Sequence, residues 1–157
     1  KNTYELFGPA GSTLIVECLT DNVNRSVSEL RAVVNKCHIK MGNIGSVSYN
    51  YDNLCIVNFK GLSMDDTINT LIENDVDIKD VEEDDGIVIY GDPQDLFKIK
   101  ESITKALPNV TFDMDEITML AKEKVELTGE DLDLFNKMLT MLDDIEDVAN
   151  IYHNVNL

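Results

Sequence analysis

Residues 52–115, DNLCIVNFKGLSMDDTINTLIENDVDIKDVEEDDGIVIYGDPQDLFKIKESITKALPNVTFDMD, read as one complete cycle of strands and helices. Residues 54–60 are a β-branched, apolar strand. Ser63 is placed to cap a helix that carries Ile68, Leu71 and Ile72 on one face, with Asp65 and Asp66 in the first turn where the helix dipole favours acids. Residues 77–82 are a weak strand, Glu83-Asp84-Asp85-Gly86 a turn and residues 87–90 a short strong strand. Asp92-Pro93 has the form of an N-cap followed by proline at the first helical position; the helix it opens buries Leu96, Ile99, Ile103 and Leu107. Pro108-Asn109 ends that helix, and Val110, Phe112 and Met114 alternate in a last strand. The order is βαββαβ, the split-βαβ or ferredoxin-like plan.

Working outward, the flanks read as two half-cycles. On the N-terminal side, residues 12–20 are a strand. Ser26 and Glu29 have capping-box spacing. Val27, Leu30, Val34, Cys37 and Met41 form a helical stripe, Gly42 stops it, and residues 45–51 alternate as a strand. On the C-terminal side, Ile117, Met119 and Ala121 alternate as a strand. Thr128-Gly129-Glu130-Asp131 opens a helix with Leu132, Phe135, Leu139 and Leu142 on one face, and Val148–His153 closes with a strand. The expected fold class is therefore α+β, with two nested ferredoxin-like (βαββαβ) domains. Residues 1–51 plus 116–157 form a discontinuous α/β domain into which a ferredoxin-like domain, 52–115, is inserted.

The chain has 157 residues, a hydrophobic fraction of 43% and a formal charge of −17. That apolar content supports a buried core and argues against disorder. No apolar run is long enough to span a bilayer, so no membrane partner is expected. Three widely spaced cysteines, Cys18, Cys37 and Cys55, suit a reducing, intracellular compartment better than a disulfide framework. With no Cys-x-x-Cys and the two histidines far apart, no metal site is expected. The charge is uneven. Five basic and four acidic residues give 1–51 a net +1; five and sixteen give 52–115 a net −11; three and ten give 116–157 a net −7. The last two segments repel phosphate backbones, so any nucleic-acid contact falls on the first. The chain opens at Lys1 without an initiator Met and reads as a fragment or processed form.

No motif carries catalysis. Gly8-Pro9-Ala10-Gly11-Ser12 precedes a strand and lacks the following Lys-Ser/Thr and helix of a phosphate cradle, so it reads as a turn. Glu82-Glu83-Asp84-Asp85-Gly86 is contiguous and lies between strands, unlike a calcium loop, and reads as a solvated hairpin tip. His153 has no nucleophile or second base that sequence can name. No catalytic residue and no cofactor is expected. One polar cluster stands out at a strand end and helix start: Thr20, Asp21, Asn22, Asn24 and Arg25. Arg31, Lys36 and Lys40 follow, largely off the apolar stripe. This is the candidate surface for nucleic acid or an acidic partner, against the plainer reading of a capped loop with a solvated basic face.

The block Tyr4-Glu5-Leu6-Phe7-Gly8-Pro9-Ala10-Gly11, then Val16-Glu17-Cys18-Leu19-Thr20-Asp21-Asn22-Val23-Asn24-Arg25, then Gly45-Ser46-Val47, Glu116-Ile117-Thr118-Met119 and the ending Val148-Ala149-Asn150-Ile151-Tyr152-His153-Asn154 resembles the YebC/PmpR family over nearly the whole chain. The resemblance implies three domains in the parent protein, of which this chain is the second and third; a small basic helical N-terminal domain is missing from it. It also implies a gene-expression regulator that acts by binding. The partner would be DNA, as for a transcriptional regulator, or RNA or the ribosome, as for a translation factor or mitochondrial translational activator. Contact would come mainly through the missing domain. It implies no catalytic motif, and a cytoplasmic protein, or a mitochondrial one if the parent is eukaryotic. The rival expectation from the residues is a small-molecule sensor or enzyme on ferredoxin-like domains.

Overall fold

The computed structural model describes residues 1–157. It is a mixed α+β structure with two four-stranded sheets, and the chain divides into two compact units, Lys1–Asp52 with Leu120–Leu157 and Asn53–Met119.

The unit Asn53–Met119 holds most of strand β4 (Tyr51–Phe59), helix α2 (Met64–Glu73), strands β5 (Asp80–Glu83) and β6 (Ile87–Gly91), helix α3 (Leu96–Ala106) and most of strand β7 (Phe112–Ala121). The sheet order is β5-β6-β4-β7, with β6 antiparallel to both β5 and β4. Cys55, Val57 and Phe59 alternate along β4 and, with Ile87 and Ile89, face Leu71, Ile99 and Ile103 in one core. Ser63 caps α2, its hydroxyl accepting the Asp66 N–H at 3.0 Å, as the spacing predicts. Three readings in this stretch are corrected. Ile72 is 68% exposed, and Thr67 takes the buried position beside Leu71. Asp92 makes no side-chain cap; Pro93 opens a 3-10 turn, and α3 begins only at Leu96. Residues 117–121 are not a strand of their own: they continue β7, because nothing in 112–121 breaks the extended pattern.

The other unit holds strands β1 (Asn2–Phe7) and β2 (Thr13–Cys18), helix α1 (Val23–Lys36), strand β3 (Lys40–Gly42), helix α4 (Gly129–Asp143) and strand β8 (Val148–His153). Its sheet order is β3-β1-β2-β8, with every neighbouring pair antiparallel. It opens on a hairpin, β1 and β2, rather than on the expected βαβ half-cycle. Tyr4 and Leu6 alternate in β1 and sit opposite Val16 and Leu14, on the face that packs against α1 and α4. Burying each such leucine stabilises the fold by about 1.5–3 kcal/mol.

Helix α1 also differs from its sequence reading. Asn22 is the N-cap, its side chain accepting the Arg25 N–H at 3.1 Å, so Ser26 is not a cap and Glu29 completes no capping box. Cys37 is the C-cap and His38 takes a left-handed φ of 54°, so the helix ends before Lys40 and Met41, which belong to β3. Residues 45–50 are not a strand: Ser48–Asn50 form a 3-10 turn, and Tyr51 is already the first residue of β4. Glu5 of β1 is 5% exposed, and its carboxylate accepts the N–H groups of Gly45, Val47 and Ser48 at 2.7, 2.9 and 2.6 Å. Amides gathered on one carboxylate are lost to a ladder, and Gly45, at φ 88°, supplies the bend.

Candidate functional site

The polar cluster begins where β2 ends. A register shift between Glu17 and Cys18 brings Cys18 opposite Val148, and the Leu19 N–H then donates to the Asp147 carbonyl at 2.9 Å. Asp147 stands in a tight turn after α4, in which the Ile145 carbonyl accepts the Val148 N–H at 3.1 Å. Its side chain, 6% exposed, points at the start of α1.

Four donors converge on that carboxylate. Arg25 supplies two, Nη2 to Oδ1 at 2.7 Å and Nε to Oδ2 at 3.1 Å, the planar fork that suits a carboxylate. The buried Ser26 hydroxyl donates to Oδ2 at 2.7 Å, and the Thr20 hydroxyl lies 3.1 Å from the same oxygen. Thr20 also accepts the Asn22 N–H at 2.9 Å, and Asn22 caps the helix, so residues 20–26 form one hydrogen-bonded unit. The guanidinium of Arg25, then the Ser26 hydroxyl, hold Asp147 down at about 2, against the opposing effect of its burial. The same hydrogen bond raises the pKa of Arg25. Both groups are therefore charged at neutral pH. Asp147 is held as a structural anion, since a carboxylate so depressed is a poor general base.

The structure brings Thr20, Asp21, Asn22 and Arg25 together. Asp21, whose side chain is 92% exposed, adds only a 3.3 Å surface contact to Arg25. Asn24 is exposed on the first turn of α1. Arg31 and Lys36 are exposed farther along the helix, roughly 9 and 17 Å from Arg25 along its axis. Neither is in an ion pair. Helix α1 carries Arg25, Arg31 and Lys36 against Glu29 alone, three cations to one acid, a net of +2 in a chain of −17.

Sequence reading missed Asp147 and gave Ser26 the wrong role. Asp147 lies 122 residues from Arg25, and nothing near it in sequence marks it as that arginine's partner. In the other unit, a cavity of about 360 Å³ is lined by Lys60, Gly61, Leu107, Asn109, Thr111 and Asp113, among others. No group of three or more His, Cys, Asp or Glu residues is arranged to hold a metal. No helix is long and apolar enough to cross a membrane.

Comparison with known proteins gives one consistent result. The family model for the TACO1/YebC second and third domain matches residues 1–155. A probable transcriptional regulatory protein of Vibrio parahaemolyticus is 40% identical over 98% of this chain and 65% of its own length. The probable transcriptional regulatory protein YeeN of Escherichia coli K12 is 44% identical over 99% of this chain and 65% of its own length. The chain thus spans just under two thirds of these relatives. Among solved structures, a conserved hypothetical protein of Aquifex aeolicus, Aq1575, superposes with a TM-score of 0.73 at 27% identity, over 99% of this chain and 64% of that one.

Proposed function

The chain belongs to the TACO1/YebC family, as its second and third domains, and from that premise we propose that it serves a gene-expression regulator by binding alone, without catalysis. The match over residues 1–155 carries this reading, with relatives named as probable transcriptional regulatory proteins in support. The partner-facing surface of this chain is the loop and helix start at 20–25 with the outer side of α1, where Arg31 and Lys36 stand free. The +2 of that helix supports the assignment, because the remaining surface repels anions. Nucleic acid, or the ribosome that presents it, is the expected target of the whole protein. Binding carried by so few cations weakens steeply with salt. Crosslinking the full-length protein in cells and identifying the bound nucleic acid or ribosomal site tests the reading; recovery of none rejects it. In a band-shift assay at physiological salt, this chain alone is expected to bind only weakly, and submicromolar affinity would show that its own surfaces suffice.

In architecture, Asn53–Met119 serves as a ferredoxin-like lobe inserted between the halves of the other unit. The element order β4-α2-β5-β6-α3-β7 and the sheet order β5-β6-β4-β7 support this. A second functional reading, a small-molecule sensor, rests on the cavity beside Lys60 and Asp113. A thermal-shift screen with metabolites separates the two, since large specific stabilisation favours the sensor.

A further inference from the structure

His153 ends β8 opposite Leu14, on the core face of its sheet, with its ring edge-on to the buried Phe135 of α4 at 5.1 Å. Its Nδ1 accepts the Val155 N–H at 3.1 Å. That bond fixes the neutral tautomer, with the proton on Nε2. Beyond it the chain is docked along residues 125 and 126. The Val125 N–H donates to the Asn154 carbonyl at 2.7 Å, the Asn156 N–H to the Val125 carbonyl at 3.0 Å, and the Asn156 side chain to Glu126 at 2.8 Å. Val155 is 2% exposed in the core. Asn154 ties the same segment to the first hairpin, accepting the Thr13 N–H at 2.8 Å and donating to the Gly11 carbonyl at 3.2 Å.

We propose that His153 is an acid-released latch: its neutral imidazole holds residues 154–156 against residues 125 and 126, and its protonation lets them go. A second ring proton can only enter at Nδ1. There it replaces the acceptor of the Val155 N–H with a donor, so two N–H groups face each other. The ring's neighbours from β2 and α4 are the apolar Leu14 and Phe135; the charged group acting on it is Lys124. Burial first, and Lys124 second, lower its pKa from the ordinary 6.5. The latch is therefore closed above that pH and opens as pH falls below it.

The test is an NMR titration of this chain from about pH 8 to about pH 5, following the imidazole resonances and amide exchange corrected for the intrinsic rate. Val155 and Asn156 are expected to lose protection by roughly three- to tenfold in step with His153 protonation, the worth of one hydrogen bond. Amides of β2 such as Val16 should keep theirs. Lys124→Ala should shift the imidazole titration and the loss of protection to higher pH together. Flat protection at Val155 across the titration overturns the latch. So does simultaneous loss at Val16, which signals unfolding of the whole unit, or an imidazole midpoint that moves in Lys124→Ala without the amides.

Discussion

Asp147 and Glu5 are both buried carboxylates of the same unit, and different donors hold them. Asp147 is met by a guanidinium and two hydroxyls, supplied by residues more than a hundred positions away. Glu5 is met by three neutral backbone N–H groups of one turn. A charged partner makes a clamp that joins the end of β2, the start of α1 and the turn before β8. Backbone donors make a template that shapes a loop. For Glu5, burial opposes ionisation most strongly, yet the N–H groups of Ser48, Gly45 and Val47, joined by the Ser48 hydroxyl, together outweigh it and the pKa is lowered. For Asp147 the guanidinium is the largest influence and the fall is deeper, to about 2.

Asp147→Ala should show the largest effect. It strands the buried Ser26 hydroxyl and leaves Arg25 without its main partner, and a drop in melting temperature on the order of 10 °C is expected in calorimetry. Acid should remove the same interaction without mutation. Asp147 has a folded pKa of about 2 against an ordinary 3.8, so its contribution is complete above about pH 4 and lost as pH falls toward 2. Acid unfolding of Asp147→Ala should accordingly show a shallower pH dependence in that window.

Arg25→Ala comes next. It leaves Asp147 two hydroxyl donors and opens it to water, so the melting temperature should fall by less than in Asp147→Ala but measurably. This substitution also separates bracing from binding at residues 20–25. Activity of the full-length protein that falls only with the folded fraction makes Arg25 a brace; lost activity at an unchanged melting point makes it a contact. Normal activity with an unchanged melting point removes it from both roles.

Glu5→Gln should cost about 1–3 kcal/mol, because the amide group must face a backbone N–H it cannot accept. Chemical denaturation read against Asp147→Ala would reverse the proposed ranking of clamp over template if Glu5→Gln proved the more damaging. Arg31→Glu with Lys36→Glu should change stability least, within roughly 0.5 kcal/mol, while weakening crosslinking of the full-length protein. Undiminished crosslinking would remove the outer side of α1 from the binding surface.

Regular elements with local signals were legible in the amino-acid order. The strands at 54–60 and 87–90 are largely apolar runs with β-branched residues, and Ser63 caps α2 through contacts three residues away. So was the α+β class, because the period of apolar residues states which face each element buries. The strand at Asn2–Phe7 was missed because its pattern is short and its pairing lies across a turn. Residues 45–51 alternate like a strand, yet a carboxylate forty residues upstream takes their amides. Ser26 has the spacing of a cap, yet Asp147 takes its hydroxyl from 121 residues away. In the last two cases the backbone or side chain had a local partner available, and packing supplied a buried anion that bound it more strongly. The Ser63 cap and the apolar runs of β4 and β6 rest on near neighbours, and sequence alone determined them. Which carboxylate is buried, and which donors it gathers, depends on segments that meet only after the sheet has formed, and that the tertiary structure decided.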